Sequence, residues 1–104
     1  MRWLAAALMM SISIWAIAGV DEDVRALQSE WEQIKYRRPA AEQEKAFEAL
    51  THAADEVRAR HPARAEPQIW YGIIAASYAG ARGGLGALSV VKNAKKALEQ
   101  ALAI

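Results

Sequence analysis

The sequence predicts an all-α fold made of antiparallel helix pairs, and two observations support this prediction. Apolar residues recur at spacings of three and four in four separate segments, which is the periodicity of amphipathic helices. The three prolines, Pro39, Pro62 and Pro67, lie between these segments, where a helix ends or begins. The 104 residues contain no cysteine, so no disulfide contributes to the fold.

The first two helices are predicted over Asp21–Arg37 and Ala40–Arg60, with Pro39 at the first position of the second. In the first helix, acidic residues begin the segment and basic residues end it, as the helix dipole favours. Its apolar stripe consists of Val20, Val24, Leu27, Trp31 and Ile34. The apolar face of the second consists of Ala46, Phe47, Leu50, Ala53, Ala54 and Val57.

The third helix is predicted over Pro67–Ala81. Residues 68–81 carry no charge, so this helix is apolar on every side and is expected to be covered on every side by neighbouring helices. The uncharged run is too short to span a membrane. The segment therefore predicts a central helix, in which Gly72 allows a neighbouring helix to approach closely.

The fourth helix is predicted over Ala87–Ile104. Its apolar arc consists of Val90, Val91, Ala94, Ala97, Leu98, Ala101 and Leu102. Its other side carries Lys92, Lys95 and Lys96, together with Glu99. These lysines are interpreted either as a solvated face or as a surface that attracts an acidic partner.

The first eighteen residues have the pattern of a signal peptide. Arg2 is followed by an uncharged apolar run, and the small residues Ala16 and Ala18 form the small-x-small pattern that precedes a cleavage site after Ala18. Export without cysteines favours a bacterial periplasm. The alternative is an uncleaved anchor in the inner membrane formed by residues 3–20, which are nearly long enough to span a bilayer.

The spacing of Tyr71, Ile74, Ala75 and Tyr78 resembles the first helix of a tetratricopeptide repeat. The small, bulky and small residues Ala94, Leu98 and Ala101 are similar to the second helix of that repeat. About seven extra residues around 80–89 separate the two helices relative to the usual short turn. The resemblance implies a right-handed helical repeat over residues 19–104 that binds a protein or peptide partner.

The stretch from Glu66 to Leu98 also resembles exported bacterial tetratricopeptide-like proteins, including the TatT-type periplasmic partners of solute transporters. This chain lacks the cysteine that a lipoprotein signal requires. Such repeats usually continue through a further helix pair, whereas this sequence stops at Ile104. We therefore expect either a truncated array or a self-associating edge at the last helix.

The residues argue against catalysis, and neither a cofactor nor a metal is expected. A formal net charge of +1 disfavours nucleic acid as a partner. The glycines around Arg82 lack the Gly-Lys-Ser/Thr of a phosphate loop, and we interpret them as a turn. His52 lies three or four residues from Glu48, Asp55 and Glu56, but a solvated face explains this grouping better than a metal site.

Three functions remain as hypotheses. The first is a non-enzymatic periplasmic module that binds a protein or peptide in the cell envelope. The second is a membrane-anchored accessory subunit of an envelope complex or transporter. The third is a small-ligand carrier or enzyme that uses the glycine-rich turn and Arg82. The candidate surface residues are Trp31, Tyr71, Tyr78, Arg82, Lys92, Lys95 and Lys96, and the three aromatic ones are interpreted as core or groove residues.

Overall fold

The computed structural model describes residues 19–104, and the predicted signal or anchor segment, residues 1–18, lies outside this range. The described residues form helices connected by short turns, which confirms the all-α prediction. The helices are α1 (Val20–Arg37), α2 (Ala40–Arg60), α3 (Ala65–Arg82) and α4 (Ala87–Ala103). Among residues 19–104, no helix combines the length and hydropathy required to cross a bilayer.

Two prolines lie one or two positions away from where the sequence analysis put them. Pro39 is the residue before α2, with an extended backbone, rather than its first helical residue. Helix α3 begins two residues before Pro67. A proline is accepted in the first turn because the backbone N–H groups there have no partner within the helix.

Helix α3 lies at the centre and contacts each of the other three helices. Successive helices run in opposite directions. The start of α1 meets the end of α2 through Asp23 and His61, and Glu48 of α2 lies beside Tyr78 near the end of α3. Gly72, in the first half of α3, lies against Leu98 in the second half of α4. The predicted antiparallel pairs are therefore α1–α2 and α3–α4.

The core is formed by side chains from all four helices, and Ile74 and Ala75 of α3 are completely buried in it. The prediction of a central helix is confirmed. The expectation that α3 is covered on every side is wrong, because Ile69, Ala76 and Gly80 are exposed along one line of the helix. This line stays open because the three neighbouring helices pack against the other sides of α3.

The predicted apolar arc of α4 is divided into a covered line and an uncovered line. Small side chains face α3, with Ala94 and Ala97 buried and Ala101 half-buried. Larger side chains on the adjacent line are exposed, with Leu98 at 40% and Leu102 at 89%. Alanine side chains let α4 approach α3 closely, and the leucines then extend past the contact into solvent.

Candidate functional site

An exposed apolar surface covers one side of the second helix pair, and we call it the open face. It consists of the exposed Ile69 and the half-buried Ile73 of α3 and of the exposed residues Leu88, Val91, Leu98 and Leu102 of α4. Apart from Tyr36, the large apolar residues exposed within residues 19–104 belong to the second pair, the turn between its helices or its C-terminal residue. Grouped apolar side chains of this kind are typical of surfaces that bind another protein.

The two halves of the open face join where α3 and α4 pack most closely. A Cβ atom built on Gly72 would lie 2.7 Å from Cδ2 of Leu98, so the leucine lies directly on the glycine backbone. Gly72 is adjacent to Ile73 and one helical turn from Ile69. Leu98 therefore extends the exposed line of α3 onto α4, and the apolar surface is continuous between the two helices.

Exposed lysines lie within and beside the open face on α4. Lys95 falls on the line of exposed apolar residues, four positions after Val91 and three before Leu98, whereas Lys92 lies one turn after Leu88 and Lys96 lies further around the helix. Lys92, Lys95 and Lys96 are all exposed, as expected both for a solvated face and for a surface that attracts an acidic partner. Lys95 Nζ lies 3.9 Å from Glu99 Oε1, and both side chains are more than 60% exposed, so this ion pair contributes little to stability. Within residues 19–104, Lys92 and Lys96 form no ion pair. The α4 side of the open face is thus positively charged.

The two predicted tyrosines lie in a different place. Tyr71 and Tyr78 are buried in the core, and their edges line a cleft of about 270 Å³ between α2 and α4. We call it the tyrosine cleft; it is lined by Glu48, Thr51, His52, Asp55, Tyr71, Tyr78, Val90 and Asn93. Around the axis of α3, Tyr71 is separated from Ile69 and Ile73 by about 160°, so the cleft and the open face are on opposite sides.

Polar contacts close both ends of the tyrosine cleft. At one end the hydroxyl of Tyr78 donates to Glu48 Oε2 at 2.7 Å and accepts from Nη1 of Arg82 at 2.9 Å. At the other end the Arg58 guanidinium lies 4.3 Å from the ring centre of Tyr71 and bonds Gln100 of α4.

Burial, followed by the nearby Asp55 carboxylate, raises the pKa of Tyr71, so its hydroxyl stays protonated. The contact with Tyr78 raises the pKa of Arg82, which therefore stays charged. Both groups thus keep one charge state across the physiological range.

Trp31 joins α1 to α3 and is half-buried. Its Nε1 donates to Ser77 Oγ at 2.9 Å, and its ring meets Trp70 edge-on at 5.9 Å. Lys35 lies over the same ring at 5.5 Å. These contacts give Trp31 a role in packing α3 against the first pair, and they place it beside Ser77, one helical turn from Ile73 of the open face.

Arg82 extends from the end of α3 over the turn that leads into α4. A Cβ atom on Gly86 would lie 2.8 Å from Arg82 Nε, so the arginine lies on the glycine backbone. Gly83 and Gly84 both have positive φ angles, a conformation that favours glycine. The glycines therefore form the predicted turn, and Arg82 is already bonded to Tyr78 there.

The candidate residues thus lie in three separate places: the lysine border, the tyrosine cleft and the contact of α1 with α3. Sequence reasoning did not identify Ile69, Leu88 or Val91 as surface residues. The sequence contains only part of the information needed, because helical periodicity shows which side chains share a face but not which face lacks a neighbour.

Within residues 19–104, no three histidine, aspartate or glutamate side chains are grouped so that they could hold a metal ion. Comparison of the chain with protein family models, with curated proteins and with solved structures gave no match.

Proposed function

We propose that this chain is a non-enzymatic interaction module of the bacterial cell envelope and that its open face binds a partner protein. The observation that carries the proposal is the continuous exposed apolar surface of the second pair, from Ile69 to Leu102. Burying such side chains contributes roughly 25 cal/mol per Å² of apolar surface, so a partner that covers them gains binding free energy.

A tetratricopeptide-like architecture is part of this proposal. It is supported by the central position of α3 between two antiparallel neighbours and by the small residues at the contact of α3 with α4. In such repeats each helix pair buries its surface against the next pair. The open face of the second pair is the surface that such an arrangement leaves for a neighbour.

The periplasmic location is proposed from the signal-like residues 1–18, with cleavage after Ala18. The second candidate is a membrane-anchored accessory subunit, and the uncharged run through residue 20 favours it. Mass spectrometry of the protein from purified envelopes separates the two, because an N-terminus at Gly19 supports export and an intact N-terminus supports the anchor.

A pull-down tests the binding proposal. The full chain, with a C-terminal affinity tag on a flexible linker, is recovered from bacterial envelope extracts, alongside a variant that combines Val91→Gln with Leu102→Gln. Tyr36→Gln is the matched control, since Tyr36 is 72% exposed on the first pair. We expect a specific protein with the wild type and the control and its loss with the double variant. Equal recovery by all three contradicts the proposal.

A further inference from the structure

We infer that the partner element on the open face is an amphipathic helix of another protein, with its carboxylates concentrated along the flank that faces α4. This inference rests on the function proposed above and specifies the chemistry of the partner. It follows from the shape of the face, from the charges at its two borders and from the outer surface of the first pair.

The shape of the open face fits a helix. Leu88 and Leu102 are fourteen residues apart on α4, which corresponds to about 21 Å of helix length. The isoleucines of α3 run beside this line, so the face is long and narrow. The first pair already binds one helix in this way, because α3 packs against both α1 and α2. A helix of about four turns covers the open face from end to end.

The two borders of the open face differ in charge. On α4 three exposed lysines outnumber the one carboxylate among them, Glu99, so this side attracts carboxylates. On α3 no residue from 68 to 81 is charged, and beyond this helix the border continues into α1, where Lys35 lines a cleft with Ala76 and Gly80. The larger group of lysines lies on α4, so a complementary helix carries most of its acidic residues on the flank that faces α4.

A second copy of this chain fits the open face poorly. In a two-fold pair that places the two α4 helices together, their lysines would approach each other, and like charges repel. In the two-fold pair that places α4 over α3 of the other copy, the lysines would meet residues 68–81, which offer no carboxylate. A head-to-tail contact would need an apolar patch on the first pair, where Tyr36 is the exposed large apolar residue among the described residues. The charges and the apolar residues together favour a different protein.

Three synthetic peptides of about 18 residues test the inference on the purified full chain. All three share one leucine stripe at helical spacing and glutamines on one flank, and the other flank carries glutamates, glutamines or lysines. Binding is measured by fluorescence anisotropy at low salt and at about 0.5 M salt. We expect the glutamate peptide to bind about tenfold more tightly than the glutamine peptide at low salt, with this preference lost at high salt.

Variants of the chain test which residues cause the tighter binding of the glutamate peptide. Replacing Lys92, Lys95 and Lys96 with glutamine abolishes the preference for glutamates but keeps binding of the glutamine peptide. The matched control replaces Arg37 at the end of α1, Arg38 in the following turn and Lys45 of α2 with glutamine, which changes the net charge equally and leaves the preference intact. The Val91→Gln and Leu102→Gln double variant weakens binding of all three peptides.

Equal binding of the three peptides, or the same preference in the triple-lysine variant, overturns the charge inference. The proposed function still stands in that case if the double variant loses its envelope partner. Absence of binding by any peptide overturns the inference of a docked helix. A concentration-dependent dimer that the double variant abolishes assigns the face to a second copy and overturns the inference as well.

Discussion

Helices α2 and α4 each close a helix pair, yet they use their apolar residues in opposite ways. Helix α2 lies between α1 and α3, and its bulky residues Phe47, Leu50 and Val57 are all buried. Helix α4 packs along α3, meets α2 through the Arg58–Gln100 hydrogen bond, and buries alanines while its leucines are exposed. An amphipathic helix with neighbours on two sides buries its large side chains, and one with a neighbour on one side leaves them available to a partner.

The largest difference in unfolding free energy between the two helices is expected when one leucine is replaced in each. Leu50→Ala removes a side chain that is 6% exposed and is expected to lower the free energy of unfolding by about 2–5 kcal/mol. Leu102→Ala, at 89% exposed, is expected to change it by less than about 0.5 kcal/mol. Urea unfolding of the purified protein, followed by circular dichroism, measures both. Similar losses at the two positions would show that α4 is covered within the chain itself.

Two glycines of α3 test the close contact with α4. Gly72→Ala is expected to destabilise the fold by about 1–3 kcal/mol, because the new methyl group overlaps Leu98. Gly80→Ala meets no atom within 4 Å and is expected to stabilise the helix by about 0.5–1 kcal/mol. Adding Leu98→Ala to Gly72→Ala should remove most of the penalty, as a double-mutant cycle of unfolding free energies detects. A penalty that persists in the double variant contradicts the proposed overlap.

Removal of one hydroxyl tests how α3 is attached to the first pair. Tyr78→Phe keeps the buried ring but loses the hydrogen bonds to Glu48 and Arg82, so a loss of about 1 kcal/mol is expected. Tyr36→Phe is the control, since the hydroxyl of that exposed tyrosine makes no hydrogen bond within residues 19–104. Equal unfolding free energies for the two variants would show that the hydrogen bonds of the Tyr78 hydroxyl do not stabilise the fold.

The smallest expected effect depends on pH and concerns the first pair alone. The hydrogen bond from His61, with a further contribution from Arg60, lowers the pKa of Asp23 below the ordinary 3.8. The charged Asp23 therefore stabilises the fold fully above pH 3.8, and this contribution is lost as the pH falls through the lowered pKa. Asp23→Asn should destabilise the fold by less than about 1 kcal/mol near neutral pH.

Unfolding curves at several pH values check this dependence, with Asp21→Asn as the control at the same end of α1. The difference between the wild type and Asp23→Asn should shrink toward zero in strong acid. A difference that stays constant with pH would show that the carboxylate charge is not the cause.

Much of the fold could be predicted from the sequence because its signals are local. Pro39 and the glycines near Arg82 mark helix ends, and apolar spacing identifies the buried stripes of α1 and α2. The contacts of Tyr78 with Glu48 and of His61 with Asp23 could not be predicted. They join residues 30 and 38 positions apart, and no local pattern links them.

The candidate site was predicted less well, and α4 shows why. Its apolar arc contains both the buried Ala94 and the exposed Leu98, and periodicity assigns them to one face. The division between a covered and an uncovered line depends on where α3 lies against α4, which is a tertiary property. The lysines could be identified from sequence alone, but the apolar surface that they border could not.

Single-cysteine labelling tests most directly whether a partner covers the open face. The chain contains no cysteine, so Leu102→Cys and Tyr36→Cys each introduce one thiol at a strongly exposed position. The rate of alkylation by a water-soluble maleimide is compared between the purified protein and isolated cell envelopes. We predict that position 102 reacts more slowly in envelopes than in the purified protein, whereas position 36 reacts equally in both. Unchanged labelling at position 102 would contradict a covered open face.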